Sequence, residues 1–368
     1  MVEKSLVCRI EQTSQEKDSF ACRPIPNSER SNLFRAVKLG EFPLRVDFIR
    51  HCLSLNNIDD GTVFYILHSI RKSTQYQYQI VWASWLSFLS NSVDNDLSIN
   101  LFCNYLKFLF EAKCLKVHTI ITYKSALLYP FYLGFNFDIN NNIVTKCIKG
   151  MSLLRPDVPF RCPDWELSKV LNYLVISFPN CKNDIYFNAK RTLFLLALAL
   201  GSRVGELFAL KRSNIKLLSN GSLRIFPDPL FLFKNENPLN RRAAVTIDPL
   251  RARSKTLCPV AAVQHYLKLT EKSVCGDLFV HPVSLAKWNL SGVRLAICRL
   301  IKQSQPDSLP KCHDIRKMAS SLAFFTHMDF SEIASLTGWR SIKVFYKHYL
   351  KNIKECQNRC IILNRSSV

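Results

Sequence analysis

The sequence predicts a mainly α-helical chain of two modules, an N-terminal helical bundle and a mostly helical second module with a small antiparallel β-hairpin. Three observations lead to this fold class. Apolar and aromatic residues recur at helical spacing over most of the chain, a proline-rich stretch interrupts them, and one later segment alternates in polarity and contains turn residues. The expected order is an extension of uncertain structure over residues 1–57, a helical module over 58–152, a linker over 153–163, the second module over 164–354 and a tail over 355–368.

The first module is predicted to contain about four helices. Six residues of "STQYQYQIVWASWLSFLSN" follow helical spacing: Tyr78, Val81, Trp82, Trp85, Leu86 and Leu89. Ser73 or Thr74 is the candidate N-cap of this helix. The segments "SINLFCNYLKFLFEAK" and "KVHTIITYKSALLYPFYLGF" repeat the pattern, and a shorter helix ends near Gly150.

The linker "LLRPDVPFRCPDWE" contains three prolines, which break a helix and favour extended backbone. After it, Asp164 is a candidate N-cap for the helix in "PDWELSKVLNYLV". The almost wholly apolar "NAKRTLFLLALALGSRVGELFAL" predicts a buried helix, a turn and a second helix. "GSLRIFPDPLFLFKNEN" and "RRAAVTID" predict the hairpin. Five segments predict the successive helices that follow: "CPVAAVQHYLKLT", "KWNLSGVRLAICRLIKQ", "CHDIRKMASSLAFFTHM", "FSEIASLTG" and "SIKVFYKHYLKN".

Charge is the strongest bulk signal in the composition. Fifty Lys and Arg residues against 28 Asp and Glu residues give a formal net charge of +22 and a pI near 9.5. Such an excess on a globular composition points to a polyanionic partner, most simply nucleic acid. A merely soluble basic protein, or one for acidic membranes, is less favoured because no lipid-anchor motif or basic amphipathic anchor stands out.

Neither a membrane span nor a metal centre is predicted. The longest apolar run, Leu193 to Gly201, is shorter than the roughly 20 residues that cross a bilayer, and the N-terminus lacks the apolar stretch of a signal peptide. We therefore expect an intracellular protein. Among 14 cysteines, Cys356 and Cys360 form a lone C-x-x-x-C pair, a weak metal signal, and buried free thiols are the expected state of most others.

Two pairs of charged residues stand out in the second module. Arg203 and Glu206 interrupt an apolar segment three residues apart, so both can face the same side of a turn or helix. On these residues alone, a plain buried ion pair is as favoured as a functional one. In "HDIRK", His313 and Arg316 are also three residues apart, just inside a predicted helix start. His313 as a cap or packing residue, with Arg316 as a surface charge, is the alternative.

Two further groups complete the candidate set. Lys234 lies at the tip of the predicted hairpin, where a lone lysine is ordinarily only solvated. "GWRSIKVFYKHYL" contains Trp339, Tyr346 and Tyr349. Both tyrosines follow one amphipathic helix face, so periodicity alone favours packing for both.

Together, these groups fit a phosphoryl-transfer site without a metal. Two arginines can clamp the non-bridging oxygens of a phosphodiester, and a histidine and an indole N–H add donors. A lysine can protonate the leaving sugar oxygen, and a tyrosine phenol can act as the nucleophile that conserves the bond energy. No acidic cluster suited to paired magnesium ions is apparent, so we expect neither a metal nor another cofactor.

These residues resemble a known family. "LALALGSRVGELFAL", "HDIRKMASSLAFF", "LTGWRSIKVFYKHYL" and "PDWELSKVLNYL" are similar to motifs of the tyrosine recombinase (phage integrase) family, closest in flavour to eukaryotic crypton and DIRS-type mobile-element recombinases. The resemblance covers roughly Ser73 to Leu350, and it is strong from Pro163 onward. It implies that Arg203 is the first catalytic arginine and that Glu206 supports the pocket.

The resemblance also assigns the remaining roles. It implies that His313 and Arg316 form the family's His-x-x-Arg pair, and that Trp339 stands where many members have histidine. The family's nucleophile lies nine or ten residues beyond that position; Tyr349 is ten beyond Trp339 and Tyr346 only seven, which favours Tyr349. Lys234 resembles the general acid on the hairpin.

Some choices stay open at this point. Lys255 competes with Lys234 as the general acid because hairpin length varies in the family. "GSRVGEL" has Ser202 where a leucine or a similar residue often stands, a departure that does not threaten the chemistry.

The resemblance implies a DNA strand-exchange enzyme for site-specific recombination or integration. Its two modules would clamp duplex DNA, a covalent 3′-phosphotyrosyl link would form, and a homo-tetramer would assemble on two DNA sites. The eukaryotic character of the motifs implies a nuclear location. The alternatives are a non-catalytic DNA-binding protein derived from such an enzyme, and a DNA relaxase similar to type IB topoisomerases.

Overall fold

The computed structural model describes residues 25–156, 164–233, 236, 241, 243–250, 255–325, 328–337 and 342–345. Within these ranges the chain is mainly α-helical with one small antiparallel sheet, which confirms the predicted fold class. The chain divides into two compact units, Met1–Pro159 and Phe160–Val368. None of the helices in the described ranges is long and apolar enough to cross a bilayer.

The first unit contains seven helices in its described part. They are α1 Asn27–Lys38, α2 Arg45–Leu55, α3 Asp60–Leu67, α4 Lys72–Leu89, α5 Ile99–Glu111, α6 Val117–Phe135 and α7 Asn142–Leu154. Helices α1 and α2 lie in the segment for which the sequence predicts no definite structure, and both pack against α6.

The first unit is built around aromatic side chains. Trp82 and Trp85 of α4 are buried together with three phenylalanines from other helices: Phe48 of α2, Phe102 of α5 and Phe131 of α6. The Trp82 indole N–H donates to a backbone carbonyl at 2.9 Å, so its polar group is satisfied.

Helix α4 begins at Lys72, two residues earlier than a cap at Ser73 requires and three earlier than a cap at Thr74 requires. The N-cap is Arg71, so the prediction of Ser73 or Thr74 as the cap is wrong, and both residues lie in the first turn. The Gln75 side chain donates to the Leu67 carbonyl at 2.5 Å. This contact connects the start of α4 to the last residue of α3, and no side chain caps α4.

The second unit surrounds a single buried helix. Its described elements are α8 Leu167–Ser177, α9 Ile185–Leu200, α10 Val204–Phe208, β1 Ile215–Leu217, β2 Leu223–Ile225, β3 Val245–Ile247, α11 Pro259–Leu269, α12 Leu290–Ser304, α13 Asp314–Phe325, α14 Phe330–Thr337 and α15 Ile342–Phe345. Helices α11, α12 and α13 all pack against α9, whose almost wholly apolar sequence is buried as predicted.

The two ends of α9 are defined by local chemistry. The Asp184 carboxylate caps its start by accepting from the N–H groups of Tyr186 at 2.8 Å and Phe187 at 3.1 Å. The helix ends at Gly201, whose φ of +54° is left-handed. Because Arg203 follows two residues later, the end of α9 sets where this arginine enters the fold.

The predicted hairpin forms as part of a three-stranded sheet. Strand β2 pairs antiparallel with β3, with Leu223 opposite Ile247, and β1 pairs with the other edge of β2. The prediction of Asp164 as the N-cap of α8 is wrong, because Glu166 occupies that position. Asp164 instead accepts from the Leu309 N–H at 2.9 Å, a tertiary contact that local sequence does not reveal.

Candidate active site

Arg203 and Glu206 form a compact local unit at the start of α10. The Arg203 Nη1 donates to Glu206 Oε1 at 2.7 Å, and the Arg203 backbone N–H donates to Oε2 of the same carboxylate at 3.0 Å. The side chain of Glu206 is 5% exposed and that of Arg203 is 20% exposed. One carboxylate therefore holds both the backbone and the guanidinium of Arg203 while leaving part of the guanidinium accessible.

Arg316 reaches the same carboxylate from α13. Its side chain is 3% exposed, and its Nη1 lies 3.8 Å from Glu206 Oε2. The same Nη1 donates to the Gly201 carbonyl oxygen at 2.8 Å. The structure thus brings together Arg203, Glu206 and Arg316, three residues whose association the sequence alone leaves open.

His313 lies immediately before α13 rather than inside its first turn, because the helix begins at Asp314. Its side chain is exposed. Protein atoms around the ring nevertheless desolvate its charged form, which lowers the pKa of His313. The charges of Arg294, Arg203 and Lys317 lower this pKa further, and only the Asp314 carboxylate opposes them. The environment therefore favours a neutral imidazole beside the arginines.

Asp314 holds the start of α13 in place. Its buried carboxylate accepts from the Lys311 backbone N–H at 2.8 Å and lies 3.5 Å from the Lys317 ammonium group. Because Asp314 directly follows His313 and precedes Arg316 by two residues, these contacts also fix the segment that carries both candidates.

Arg294 is the site neighbour that the sequence reasoning missed. It lies exposed on α12, and its charge is the second cause, after desolvation, of the lowered pKa of His313. No motif spacing connects "LSGVRLAIC" with "HDIRK"; tertiary packing relates them, since α12 and α13 both pack against α9.

The predicted general acid, Lys234, lies outside the described residues, but its flanks are described. The Phe233 N–H donates to Glu236 Oε2 at 3.0 Å, and the Glu236 N–H donates to the Phe233 carbonyl at 2.9 Å. Phe233 also lines a cavity of about 50 Å³ together with Glu206 and Leu207. The residue that precedes Lys234 therefore lines the same cavity as the glutamate that holds the two arginines.

The competing lysine, Lys255, is exposed at the start of a short 3-10 turn, Lys255–Leu257. The buried Arg191 binds this turn, because its Nε donates to the Thr256 carbonyl at 2.8 Å. No contact of Lys255 with Arg203, Arg316 or His313 is found among the described residues.

The remaining candidates cannot be placed. Trp339, Tyr346 and Tyr349 lie outside the described residues, as do Cys356 and Cys360. The short helix α15 lies between Trp339 and Tyr346 in the chain, as the predicted helical segment requires.

The charge of the described cluster fits an anionic substrate. Two guanidinium groups, those of Arg203 and Arg316, share one carboxylate, and the exposed imidazole of His313 lies within the influence of a third arginine, Arg294. The cluster is therefore net positive, and its partly exposed guanidinium and imidazole can donate to oxygens of a phosphodiester.

No family model and no curated protein matches the sequence. Solved structures do match. One is the XerH site-specific recombinase bound to a palindromic difH substrate in a post-cleavage complex, with 15% identity, a TM-score of 0.59 and coverage of 94% of this chain and 100% of that chain.

Two further structures are similar. The Tn1549 transposon integrase in complex with transposon right end DNA is 13% identical, with a TM-score of 0.51 and coverage of 90% of this chain and 99% of that chain. A lambda integrase dimer bound to a COC′ core site is 16% identical, with a TM-score of 0.51 and coverage of 77% and 74%. The chain therefore has the fold of the tyrosine recombinases and integrases, the family that its motifs resemble.

Proposed function

We propose that the chain breaks and rejoins duplex DNA, in site-specific recombination or integration, through a covalent 3′-phosphotyrosyl intermediate. The observation that carries this proposal is the cluster of Arg203 and Arg316 on the buried carboxylate of Glu206, with His313 three residues before Arg316. A fold of this class would not need two arginines on one buried carboxylate for stability alone, since burying charge is costly. A phosphate group that binds the cluster would neutralise its excess positive charge.

The proposed reaction is a transesterification. The Tyr349 phenol oxygen attacks the scissile phosphorus, the Tyr–O–P bond forms, and the bond to the 5′ oxygen breaks. Arg203, Arg316, His313 and Trp339 stabilise the charge on the non-bridging oxygens in the transition state.

Lys234 donates a proton to the departing 5′ oxygen. Phe233 lines the same cavity as Glu206, which supports Lys234 over Lys255 in this role because Lys234 directly follows Phe233 in the chain. Attack by an incoming 5′ hydroxyl reverses the steps and reseals the strand, so the bond energy is kept and the chemistry calls for neither a nucleotide nor a metal cofactor.

Double-stranded DNA is the proposed partner. The net charge of +22 supports this partner, and the three similar structures are of DNA-bound proteins. We further propose that two units clamp the duplex, that a homo-tetramer assembles on two DNA sites, and that the enzyme acts in the nucleus for a mobile element. These last proposals rest on the motif resemblance.

The test is covalent trapping on nicked "suicide" DNA that carries candidate element-terminal sequences, read on a denaturing gel. We expect the wild-type chain to form an adduct, Tyr346→Phe to retain it and Tyr349→Phe to lose it. The Tyr346 variant is the matched control because it removes the same hydroxyl group from the same segment.

Two other results would contradict the proposal. An adduct that survives Tyr349→Phe but not Tyr346→Phe would reverse the assignment of the nucleophile. Tight DNA binding with no adduct from any chain would favour a non-catalytic DNA-binding protein, and relaxation of supercoiled DNA by a monomer without sequence preference would favour a relaxase.

A further inference from the structure

The C-terminal end of helix α9 contacts the candidate site directly. The buried Gly201 offers its carbonyl oxygen to Arg316 Nη1 at 2.8 Å. The same nitrogen lies 3.8 Å from Glu206 Oε2. The hydrogen bond to the carbonyl is therefore the shorter of these two contacts, and it comes from the backbone.

Two physical effects make this carbonyl a strong acceptor. Carbonyl groups at the end of an α-helix lack intrahelical partners, and the helix dipole places a partial negative charge of about half an electron there. Helix α9 has 16 residues, most of them buried, so little solvent screens this end. A guanidinium is the best-matched donor for such a group.

The backbone conformation of Gly201 sets the direction of its carbonyl. Its φ of +54° and ψ of +26° lie in the left-handed region, which favours glycine. A β-branched residue is a genuine outlier there and would shift the peptide toward φ below zero. Such a shift would rotate the carbonyl away from Arg316.

The charge balance explains what the contact achieves. Arg203 and Arg316 share Glu206, and a second carboxylate beside Arg316 would neutralise the cluster and weaken its attraction for a phosphate. The helix end stabilises Arg316 with only a partial charge. It therefore holds the guanidinium in place while the cluster keeps a net positive charge.

We propose that Gly201 is a positioning residue, whose left-handed backbone aims the carbonyl end of α9 at Arg316 and orients this guanidinium for the scissile phosphate. This inference rests on the proposed function and deepens it. Gly201 acts through Arg316 and does not itself touch the DNA.

The test compares Gly201→Val with Gly221→Val. Gly221 also has a positive φ, +84°, in the turn between β1 and β2, and a Cβ there would meet only Pro249 at an ordinary 3.8 Å. Both variants place a β-branched residue at a positive φ, so both should lower the melting temperature, and Gly201→Val should lower it more because Gly201 is buried and Gly221 is partly exposed. Only Gly201→Val is expected to slow adduct formation on nicked DNA, by about ten- to a hundredfold. This effect is smaller than the roughly 10²–10³ for removal of a transition-state donor, because Arg316 is displaced and not removed.

A methylphosphonate at the scissile position separates positioning from general damage. Replacing one charged oxygen by methyl removes the charge that Arg316 would stabilise. We expect Gly201→Val to lose most of its defect relative to wild type on this DNA. A defect of equal size on both DNAs, or no defect on either, would overturn the inference.

Gly201→Asn provides the conservative variant, because asparagine tolerates the left-handed region. It should recover most of the rate lost with valine; an equal loss would show that side-chain bulk, not backbone conformation, is responsible. Nitrogen-15 NMR of the arginine side chains adds a readout independent of activity. Slow rotation of the Arg316 guanidinium, assigned by its absence in Arg316→Lys, should be lost in Gly201→Val and kept in Gly221→Val.

The two proposals fail in different ways. If wild type forms no adduct while the NMR comparison behaves as expected, the proposed function fails and the role of the carbonyl stands. If wild type is active and Arg316 rotates equally fast in all variants, the inference fails alone.

Discussion

The cores of the two units differ in what they bury. Among the described residues, the first unit buries aromatic and aliphatic side chains and a single charged residue, Arg45. The second unit also has a large apolar core, but it buries several charged residues: Lys190, Arg191, Glu206, Asp277, Asp314 and Arg316. Because burying charge is costly and functional sites often contain buried charged groups, this difference favours the second unit as the location of the active site.

Within the second unit, two buried arginines, Arg191 and Arg316, have different surroundings, so burial alone does not identify a site. Arg191 is 1% exposed, stacks at 4.3 Å over the Phe178 ring and donates to a backbone carbonyl, and desolvation lowers its pKa to about 10. Arg316 is also buried, but it lies 3.8 Å from the Glu206 carboxylate that binds Arg203, and it follows His313 by three residues. This constellation is the reason that Arg316, and not Arg191, is proposed to act in catalysis.

Glu206→Gln should have the largest effect. It removes the charge between two arginines, so we expect loss of adduct formation and destabilisation of about 3–5 kcal/mol, as when one partner of a buried ion pair is removed. Glu166→Gln is the matched control, because Glu166 pairs with Lys169 at 2.8 Å at the same spacing but is 64% exposed. Its effect should be about 0–1 kcal/mol. Urea unfolding of both variants checks this; equal losses would refute the assignment of a buried charge cluster.

Arg316→Met and Arg191→Met test the comparison of the two buried arginines. We expect Arg316→Met to slow adduct formation by about 10²–10³, because it removes a transition-state donor. Arg191→Met should leave the rate on nicked DNA within about threefold, since the hydrogen bond and the ring contact of Arg191 go to the Thr256 carbonyl and to Phe178, neither of which is a candidate site residue. A large loss with Arg191→Met would instead implicate the turn that begins at Lys255 in catalysis.

The smallest expected effect concerns pH. The pKa of folded His313 is lowered from 6.5, so the unfolded chain takes up a proton first as the pH falls. This residue therefore costs no stability well above pH 6.5, and stability is lost as the pH drops below that value. Arg294→Gln should raise the pKa of His313, measured by NMR titration, and reduce this acid-side loss. Arg299→Gln, on the same helix, is the control; an identical shift with both variants would rule out a specific effect of Arg294.

The helices and the hairpin were predictable from the sequence because their signals are local. Apolar periodicity located α4 and α9, and the alternation in "RRAAVTID" located β3. Helix starts were harder to predict. Asp164 has the right chemistry for a cap, but a tertiary partner, the Leu309 N–H, engages its carboxylate. Arg71 occupies the N-cap position of α4, although its side chain makes no capping hydrogen bond.

The sequence by itself determined the fold class and the excess positive charge, and it allowed the pairing of Arg203 with Glu206, because a spacing of three residues lets two side chains face the same side of a helical turn. Only the tertiary structure decided that Arg316 shares that carboxylate, that Gly201 offers it a carbonyl, and that the charge of Arg294 acts on His313. These contacts join residues far apart in the chain. They exist because α12 and α13 pack on the buried helix α9, and no local pattern encodes which side chains such packing brings together.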